Sequence, residues 1–290
     1  MSPPPEGLTL EGITVRFGGL VALEGVSVRV PPGRVLGVIG PNGAGKTTLF
    51  NVVCGFVKAD AGTISLDGRS LRPRPHRLAA LGVARTLQGV GLFQGLTVLE
   101  NVMAGATPRA RAGFASALFG LPRSDRDERR LAAEAMALLD ELGIAAHAKA
   151  LPGTLPYAVR KKVALARALA VRPRLLLLDE PAGGLGAEDI AELAELVAGL
   201  PRREGRECAV MLVEHHMDFV MSVCHEVAVL DFGRLIAAGT PEQVKDDPAV
   251  AEAYLGAEAP ATDAPGPGSD VAAAAPGAQV SDSDRQEAAP

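Results

Sequence analysis

The sequence predicts an α/β fold in which a parallel sheet is preceded by an N-terminal antiparallel β subdomain. Residues 8–30 alternate apolar and polar side chains in places and contain a Gly-Gly break, which is typical of antiparallel strands joined by a turn. Residues 35–39, 175–178 and 210–213 are instead continuous apolar runs of strand length. Such runs indicate parallel strands that are covered on both faces.

The middle of the chain predicts a further strand, an insertion and a helix. Residues 63–71 are predicted to contain a strand and then an Asp-Gly turn at 67–68. Residues 106–125 lack regular periodicity and are rich in Ala, Arg and Gly, so we expect a mobile insertion there. Residues 163–170 have the composition of a helix that is buried on most sides.

A second helix is predicted between these two segments. Ser124 followed by Asp127 resembles a capping box at its start, and Gly143 is expected to terminate it. Its apolar residues fall on one face, which predicts packing against a core. They are Leu131, Ala135, Leu138, Leu139 and Leu142.

The C-terminal part predicts a hairpin and a last helix. Residues 227–230 and 235–238 flank the run D-F-G-R, and we interpret D-F-G as the turn, because no kinase catalytic loop precedes it. Thr240 then suits the N-cap of a helix, with Pro241 in the first turn and Gln243 three residues after the cap.

Composition argues against several classes of protein. Hydrophobic residues make up 48% of the 290 residues, yet no apolar run approaches the roughly 20 residues of a membrane-spanning helix. The N-terminus lacks the charged and then apolar pattern of a signal peptide, so nothing indicates export. The three cysteines are widely spaced, which fits a reducing cytosol and argues against disulfides or a zinc site.

Charge and composition also divide the chain into segments. From residue 257 onwards there are six acidic residues and one basic residue, so this tail accounts for the whole net charge of −5. The rest is neutral overall, which is not the balance of a nucleic-acid-binding protein. We expect a folded domain at residues 8–256, with a helical subdomain at about 90–170. Residues 1–7 and 257–290 are predicted to be disordered.

A glycine-rich run at residues 40–48, G-P-N-G-A-G-K-T-T, satisfies the pattern G-x-x-x-x-G-K-[ST]. It follows a predicted strand and precedes a helical pattern, which are the two context conditions for a P-loop. Glycines let backbone N–H groups surround phosphate oxygens, and the helix directs its positive end at the anion. The run therefore predicts a P-loop NTPase core that binds the phosphates of a nucleotide together with Mg²⁺. The binding residues are expected to be Asn42, Gly43, Ala44, Gly45, Lys46, Thr47 and Thr48.

Four side chains are predicted to carry most of the chemistry. Lys46 would reach the outer phosphates, and Thr47 would place a hydroxyl on Mg²⁺. Asp179 and Glu180 end a buried strand, at the edge where ligands bind in open α/β sheets. Asp179 would hold Mg²⁺ through water, and Glu180 would act as the base that orients the attacking water. The alternative is an ordinary strand end with two solvated acids.

Several runs occur in the order found in one family: G-G-L-V-A-L-E-G-V, G-P-N-G-A-G-K-T-T-L-F-N, A-R-T-L-Q, L-T-V-L-E-N-V, E-H-H-M-D-F-V-M and A-E-A-Y-L-G. Over about residues 8–256 the chain resembles the ATP-binding subunit of an ABC transporter. More narrowly, it is similar to the subunits of branched-chain amino-acid uptake systems. The resemblance implies an ATPase of the P-loop class that works beside membrane subunits.

The resemblance also implies roles for three residues. Phe17 would stack on the adenine, although an ordinary core aromatic is the alternative. Gln88 would touch Mg²⁺ and the attacking water and report to the membrane partner, the alternative being a plain surface glutamine. His215 would contact the γ-phosphate and help to position Glu180. The nearby set of His216, Cys224 and His225 matches no usual metal-ligand spacing.

Two segments depart from the family pattern. Residues 155–159 read L-P-Y-A-V where the family has a signature such as L-S-G-G-Q, which binds the nucleotide of a second subunit. Pro156 offers no hydroxyl and no N–H, and the Ala158 methyl blocks a close approach or a positive φ. The helix expected to start near residue 160 still directs its positive end at the phosphate. Residues 185–187, L-G-A, replace an Asn or Asp followed by Pro.

Three functions are therefore weighed. The first is an ATPase that drives solute import, of branched-chain amino acids, through a separate permease at the cytoplasmic face of the membrane. It would need permease subunits, a second ATP-binding subunit (a sister chain or a copy of itself) and, indirectly, a solute-binding protein. The second is a weakly hydrolytic, mainly regulatory subunit of a heterodimer, motivated by the two departures. The third is a non-transport ATPase on nucleic acid, disfavoured because no coiled-coil insertion or basic arm is present.

Overall fold

The computed structural model describes residues 6–86, 89–110, 122–205 and 207–258, and the structural statements below concern these ranges. Gln88, residues 1–5 of the N-terminal segment, the centre of the insertion and the tail after residue 258 lie outside them. What the sequence predicts for those residues therefore stays a prediction.

The strands form two sheets within the described ranges. Their bounds are β1 Leu8–Phe17, β2 Leu20–Val30, β3 Val35–Ile39, β4 Ala61–Leu66, β5 Arg69–Ser70, β6 Val83–Arg85, β7 Leu175–Asp179, β8 Ala209–Val213, β9 Glu226–Asp231 and β10 Arg234–Gly239. The N-terminal sheet is antiparallel, in the order β2-β1-β4-β5. The larger sheet has the order β10-β9-β3-β8-β7-β6 and is parallel except for β10. This is the predicted α/β architecture.

Helices flank the larger sheet and fill the segment between β6 and β7. Their bounds are α1 Lys46–Cys54, α2 Val98–Ala106, α3 Pro122–Glu141, α4 Tyr157–Leu169, α5 Ala187–Gly199, α6 Met217–Val223, α7 Pro241–Lys245 and α8 Pro248–Glu258. None of the helices in the described ranges combines the length and the apolar character that crossing a bilayer requires.

Two predicted helix starts are wrong. α3 begins at Pro122, so Ser124 lies in its first turn and not at the N-cap. Proline suits the first position of a helix because its φ is already helical and its missing N–H needs no partner. α4 begins at Tyr157, about one turn before residue 160, directly after Pro156 as N-cap. Within the predicted irregular segment 106–125, a 3-10 turn covers Thr107–Arg109 and α3 covers the last residues, while the centre lies outside the described residues.

The predicted C-terminal elements are confirmed. β9 and β10 form an antiparallel hairpin around Phe232-Gly233. At the start of α7 the Thr240 side chain accepts from the Gln243 N–H, and the Gln243 side chain accepts in return from the Thr240 N–H. This reciprocal capping box satisfies two backbone donors that would otherwise lack partners.

The core lies on both faces of the larger sheet, and β7 shows why its sequence is continuously apolar. Leu176 and Leu178 point into the cluster built with the helices α2 to α5. Leu175 and Leu177 point the other way, into the cluster shared with α1 and the N-terminal sheet. Because successive side chains of a strand alternate between faces, a strand covered on both sides needs apolar residues at every position.

The order of the parallel strands determines where the polar residues meet. β3, β8 and β7 are neighbours, so their carboxyl ends lie along one edge of the sheet. The loop at Gly40 follows β3, the pair Glu214-His215 follows β8, and Glu180 follows β7, whose last residue is Asp179. Segments far apart in the chain are thereby placed together at the edge where open α/β sheets bind ligands.

Candidate active site

A cleft of about 430 Å³ lies at this edge of the sheet. The structure brings Phe17, Glu180 and His215 together on its walls, with Phe232 and Gly233 of the C-terminal hairpin. The glycine-rich loop forms its floor with Asn42, Gly43, Ala44, Gly45, Lys46, Thr47 and Thr48. The volume is within the range of about 300–1,000 Å³ that small-molecule pockets occupy.

The glycine-rich loop has a backbone that only glycine adopts at low cost. Gly43 has φ +81° and Gly45 has φ +102°. A Cβ at Gly45 would lie 2.8 Å from the Ala22 carbonyl oxygen, because the loop packs tightly against β2. Gly45 is also the N-cap of α1, so the first N–H groups of this helix open directly onto the cleft. The loop and helix together are suited to bind a phosphate group.

Lys46 supplies a positive charge to the cleft. Its Nζ donates to the carbonyl oxygens of Gly40 and Pro41 at 2.7 and 2.8 Å, which holds the side chain along the loop. Burial lowers the pKa of this ammonium, and the nearby Glu180 carboxylate opposes that shift. The charge is thus partly removed from water. In this less polar environment, its attraction for a phosphate oxygen is stronger than at the surface.

Glu180 occupies a strained position at the end of β7. Its φ is +45°, a left-handed conformation that is uncommon for residues other than glycine. Its N–H donates to the Val213 carbonyl at 2.9 Å, which continues the parallel pairing with β8 by one residue. Strained residues persist only where surrounding contacts hold them, and they cluster at functional sites.

Asp179 is engaged differently from its neighbour and does not line the wall of the cleft. Its Oδ2 accepts from Arg85 at 2.7 Å, and its side chain is 10% exposed. Arg85 also donates to Asn51 on α1 at 3.3 Å, and its guanidinium lies over the Phe50 ring at 4.9 Å. Asp179 is therefore not an ordinary solvated acid, and Arg85 ties it to the helix that carries Thr47.

Phe17 and His215 approach the cleft from opposite sheets. Phe17 ends β1 and is 53% exposed, so the alternative of an ordinary core aromatic is wrong. His215 follows β8 by two residues, and its side chain is 57% exposed. An exposed aromatic face and an imidazole on the cleft are both free to meet a ligand. Gln88, the third residue of this predicted group, lies outside the described residues.

Sequence reasoning missed Glu214, a buried carboxylate beneath the cleft. Its Oε1 accepts from the Ala182 N–H at 2.7 Å, and its Oε2 accepts from the N–H groups of His215 and His216 at 2.8 and 3.1 Å. Burial alone raises the pKa of Glu214, but the His216 N–H and ring and the other two N–H groups outweigh it and lower the pKa. An acid directly after an apolar strand was the available signal.

Two residues of the set His216, Cys224 and His225 support the larger sheet. The backbone N–H of Val35 donates to Nδ1 of His225, and the Cys224 sulfur packs against Gly37, so both residues support β3. Burial raises the pKa of the Cys224 thiol to about 12, which keeps it protonated and unsuited to a metal. Among the described residues, the group of potential ligands that lies close together is Glu214, His215 and His216.

The segment 155–159 lies at the start of α4, away from the P-loop. Pro156 is the N-cap with φ −53°, and no side chain caps the helix there. Ala158 is the second residue of the helix and has no positive φ, as expected for a residue with a methyl group. What remains is the loss of the serine hydroxyl and the added methyl group. Gly186 similarly begins α5 as an N-cap without a side-chain bond.

Comparison with known families agrees with this geometry. Residues 23–183 match the family model described as ABC transporter, and residues 234–260 match one described as branched-chain amino acid ATP-binding cassette transporter.

Curated relatives extend the match over most of the chain. The chain is 41% identical over 250 residues to the high-affinity branched-chain amino acid transport ATP-binding protein BraF of Pseudomonas aeruginosa, covering 86% of this chain and 97% of BraF. It is 38% identical to LivG of Escherichia coli, which has the same description, with the same coverage. It is also 32% identical to the lipopolysaccharide export system ATP-binding protein LptB of Haemophilus influenzae, covering 86% of this chain and 97% of LptB.

The fold is also similar to solved structures. The crystal structure of the ADP conformation of MJ1267, an ATP-binding cassette of an ABC transporter, superposes with a TM-score of 0.74 at 31% identity. The match covers 87% of this chain and 99% of MJ1267. A nucleotide-free ATP-binding cassette from an ABC transporter gives a TM-score of 0.72 at 29% identity, covering 86% and 98% of the two chains.

Proposed function

Because this chain belongs to the ATP-binding cassette family of ABC transporters, we propose that its cleft hydrolyses ATP to drive import of branched-chain amino acids through a separate permease. The observation that carries the proposal is the cleft itself. A helix N-terminus, a lysine and a strained glutamate surround one cavity large enough for a nucleotide. The cargo is inferred from the relatives BraF and LivG, since it binds to other subunits of such systems.

The residues of the cleft fit ATP in three respects. Phe17 offers an exposed ring for the adenine, as aromatic side chains do for nucleobases. The glycines at 43 and 45 leave room for backbone N–H groups to approach the phosphates. Lys46, already beside the loop carbonyls, needs only a side-chain rotation to reach the outer phosphates.

The oxygen atoms near the P-loop also fit Mg²⁺, which prefers oxygen ligands and retains several waters. Thr47 would supply a hydroxyl, Asp179 a carboxylate through water, and Gln88 a side-chain amide oxygen. When bound, the ion supplies charge neutralisation of the phosphate oxygens. Arg85 donates to Oδ2 of Asp179 at 2.7 Å, which fixes the position of this carboxylate beside α1.

The hydrolytic step is assigned to the two catalytic side chains on the cleft wall. The Glu180 carboxylate would accept a proton from the attacking water or orient it, as general bases do in this chemistry. His215, on the neighbouring strand end, would donate a hydrogen bond toward the terminal phosphate. Both residues directly follow neighbouring parallel strands, which places them side by side at the cleft before the nucleotide binds.

The partners are proposed from the relatives BraF and LivG, which are ATP-binding proteins of transport systems. We place it as a peripheral subunit at the cytoplasmic face of the cell membrane, bound to permease subunits and supplied indirectly by a solute-binding protein. A second ATP-binding subunit completes its site. Because Pro156 offers neither a hydroxyl nor an N–H, a sister subunit with a serine signature would serve this chain's nucleotide better than a second copy would. No nucleic-acid partner is proposed.

A second candidate function is favoured by the same segment. In a heterodimer, Pro156 and Gly186 would weaken the site on the partner's P-loop, leaving one active and one mainly regulatory site. Each lost hydrogen bond to a charged phosphate costs about 1.5–3 kcal/mol. In such a heterodimer, the site on this chain's own P-loop is completed by the partner's signature and is not weakened by Pro156 or Gly186.

One experiment tests the main proposal. The full chain is co-purified with its permease partners, and ATP turnover is compared with that of Glu180→Gln, which keeps the shape of the side chain and removes its charge. We expect a fall of at least about 100-fold, as for loss of a general base. Equal turnover of the two proteins would refute catalysis at this cleft. Glu188→Gln, an acid in the first turn of α5, serves as the control.

A further inference from the structure

The loop that carries Glu180 is bonded to α4 through Lys161. The Lys161 Nζ donates to the carbonyl oxygens of Glu180 and Pro181, both at 2.8 Å. The ammonium also lies 5.5 Å from the centre of the Tyr157 ring, one turn earlier on the same helix. A cation that makes two charge-assisted hydrogen bonds to consecutive carbonyls fixes the orientation of both peptide groups.

The same loop is also held by Glu214. Its Oε1 accepts from the Ala182 N–H at 2.7 Å, and its Oε2 accepts from the His215 N–H at 2.8 Å. The carboxylate is almost completely buried, with 1% of the residue exposed. Residues 180–182 are therefore clamped between a cation from α4 and an anion that also positions the backbone of His215.

The clamp acts where the backbone is strained. Glu180 has φ +45°, so its peptide would relax to an ordinary conformation if the surrounding bonds were removed. The side chain of Glu180 leaves the backbone at this residue, so such a relaxation would turn the carboxylate away from the cleft. The bonds to the carbonyl of residue 180 and the N–H of residue 182 prevent this rotation.

The contact also joins two functional segments. Tyr157, the first residue of α4, packs its ring within 3.1 Å of the Cβ position of Gly184, in the loop after Glu180. Residues 155–159 and Lys161 are separated by less than one helical turn. A displacement of the start of α4 would therefore move Lys161 and, with it, the backbone of Glu180.

We propose that Lys161 and Glu214 are positioning residues that hold Glu180 in its catalytic orientation and couple it to the segment at the start of α4. The inference rests on the proposed function, since it assigns Glu180 a hydrolytic role. It adds that the surface offered to a partner's nucleotide and the chain's own hydrolytic carboxylate are mechanically connected. ATP bound by one subunit would then affect hydrolysis by the other.

The test uses Lys161→Met in the full chain, co-purified with its permease partners. Because the clamp orients Glu180 and does not touch the P-loop, we expect kcat to fall about tenfold or more, while the Kd for ATP changes less than about twofold. Lys161→Arg keeps a donor and should recover kcat to within about threefold of the wild type. Such a split, with rescue, is not expected from a general loss of stability.

A matched control lies on the next residue. Lys162 is on the same helix and pairs with Glu192 at 2.5 Å, but it does not contact the 180–182 loop in the described structure. Lys162→Met should leave kcat within about twofold of the wild type, because it removes one cation and one ion pair of the helix but leaves the clamp intact.

Glu214→Gln tests the other half of the clamp and decides the question if Lys161→Met does not fold. It should lower kcat about tenfold with an unchanged Kd for ATP, because the amide NH₂ cannot accept the histidine N–H groups. Unchanged kcat in a folded variant overturns the inference, as does an equal loss of kcat and ATP affinity. If Glu180→Gln turns over like the wild type, the proposed function itself fails; if only the clamp variants remain active, the inference alone fails.

Discussion

The cleft and the start of α4 share one feature, a helix N-terminus suited to an anion, but the residues around the two N-termini differ. At the cleft, α1 is preceded by glycines with positive φ and carries Lys46 and Thr47 in its first turn. At the start of α4 the preceding residue is Pro156, and no side chain caps the helix. The first site has a lysine, hydroxyls and open N–H groups, whereas the second keeps mainly the helix dipole.

In the proposed function, one nucleotide site is formed by the P-loop of one subunit and the start of α4 of another. The difference teaches that these two parts of the site can change independently. Binding to α1 depends on the backbone geometry of a contiguous loop, where a Cβ at Gly40 or Gly45 would clash with a neighbouring carbonyl oxygen and Gly43 has a positive φ. Binding at α4 depends on single donors, and the loss of one leaves the fold intact because proline is well tolerated at a helix start. The four predictions below test this contrast, in order of expected effect.

Lys46→Ala should have the largest effect. It removes the only side-chain cation on the cleft wall of the described structure, and charge-assisted bonds to phosphate are the strong ones, so we expect at least about a 100-fold loss of ATP affinity. Isothermal titration of the full chain measures it. Lys58→Ala, at an exposed position beyond α1, is the control and should bind ATP normally. An affinity within threefold of the wild type would contradict the assignment.

The double variant Pro156→Ser with Ala158→Gly should make the start of α4 a better phosphate-binding site and so reduce its difference from the start of α1. A restored hydroxyl bond to a charged phosphate is worth about 1.5–3 kcal/mol, so turnover of self-paired copies should rise about tenfold or more. Steady-state ATPase rates at high protein concentration provide the measurement. ATP affinity of the separate chain should not change, because the segment serves the neighbour's nucleotide. If turnover also stays constant, the signature departures do not limit this protein.

Phe17→Ala tests the far end of the cleft. Stacking on a base is worth about 1–3 kcal/mol, so we expect about a tenfold weaker Kd for ATP, with little change in kcat at saturating ATP. Phe93→Ala is the matched control, since Phe93 is 55% exposed and Phe17 is 53% exposed, but only Phe17 lines the cleft. Equal effects of the two variants would show that Phe17 has no special contact with the nucleotide.

Glu214→Gln should have the smallest effect, on acid stability. The pKa of Glu214 lies below its ordinary value of 4.5, so its ionised form stabilises the fold above pH 4.5 and this contribution is lost as the pH falls through the lowered pKa. We expect the variant to be less stable by about 1 kcal/mol at neutral pH, with the difference closing as the pH falls below 4.5 and through the lowered pKa.

Urea unfolding at several pH values measures this difference. Glu24→Gln is the control, because Glu24 pairs with Arg234 at the surface, where ion pairs contribute little. A constant gap between wild type and Glu214→Gln from pH 7 to pH 3 would mean that the Glu214 charge is not linked to folding.

Comparing the predicted elements with the structure shows which of them depend on neighbouring residues and which depend on distant contacts. The β7 and β8 runs were recognisable because a strand buried on both faces must be apolar throughout. The start of α4 was misplaced because proline can serve as N-cap as well as lie within the first turn, and residue types alone do not distinguish the two. The start of α3 was misplaced for a related reason, since Ser124 and Asp127 imitate a cap inside a helix.

By itself, the sequence determined the phosphate-binding loop, the acids after β7 and the alternation of strands and helices. These features depend on neighbouring residues, whose spacing is visible in one dimension. Which residues support the phosphate-binding loop and the acids after β7 became known only from the tertiary structure. Arg85 reaches Asp179 across 94 residues, Glu214 reaches Ala182 across 32, and Lys161 reaches Glu180 across 19. Such partners are chosen by strand order and helix packing, which bring together side chains that no local pattern connects.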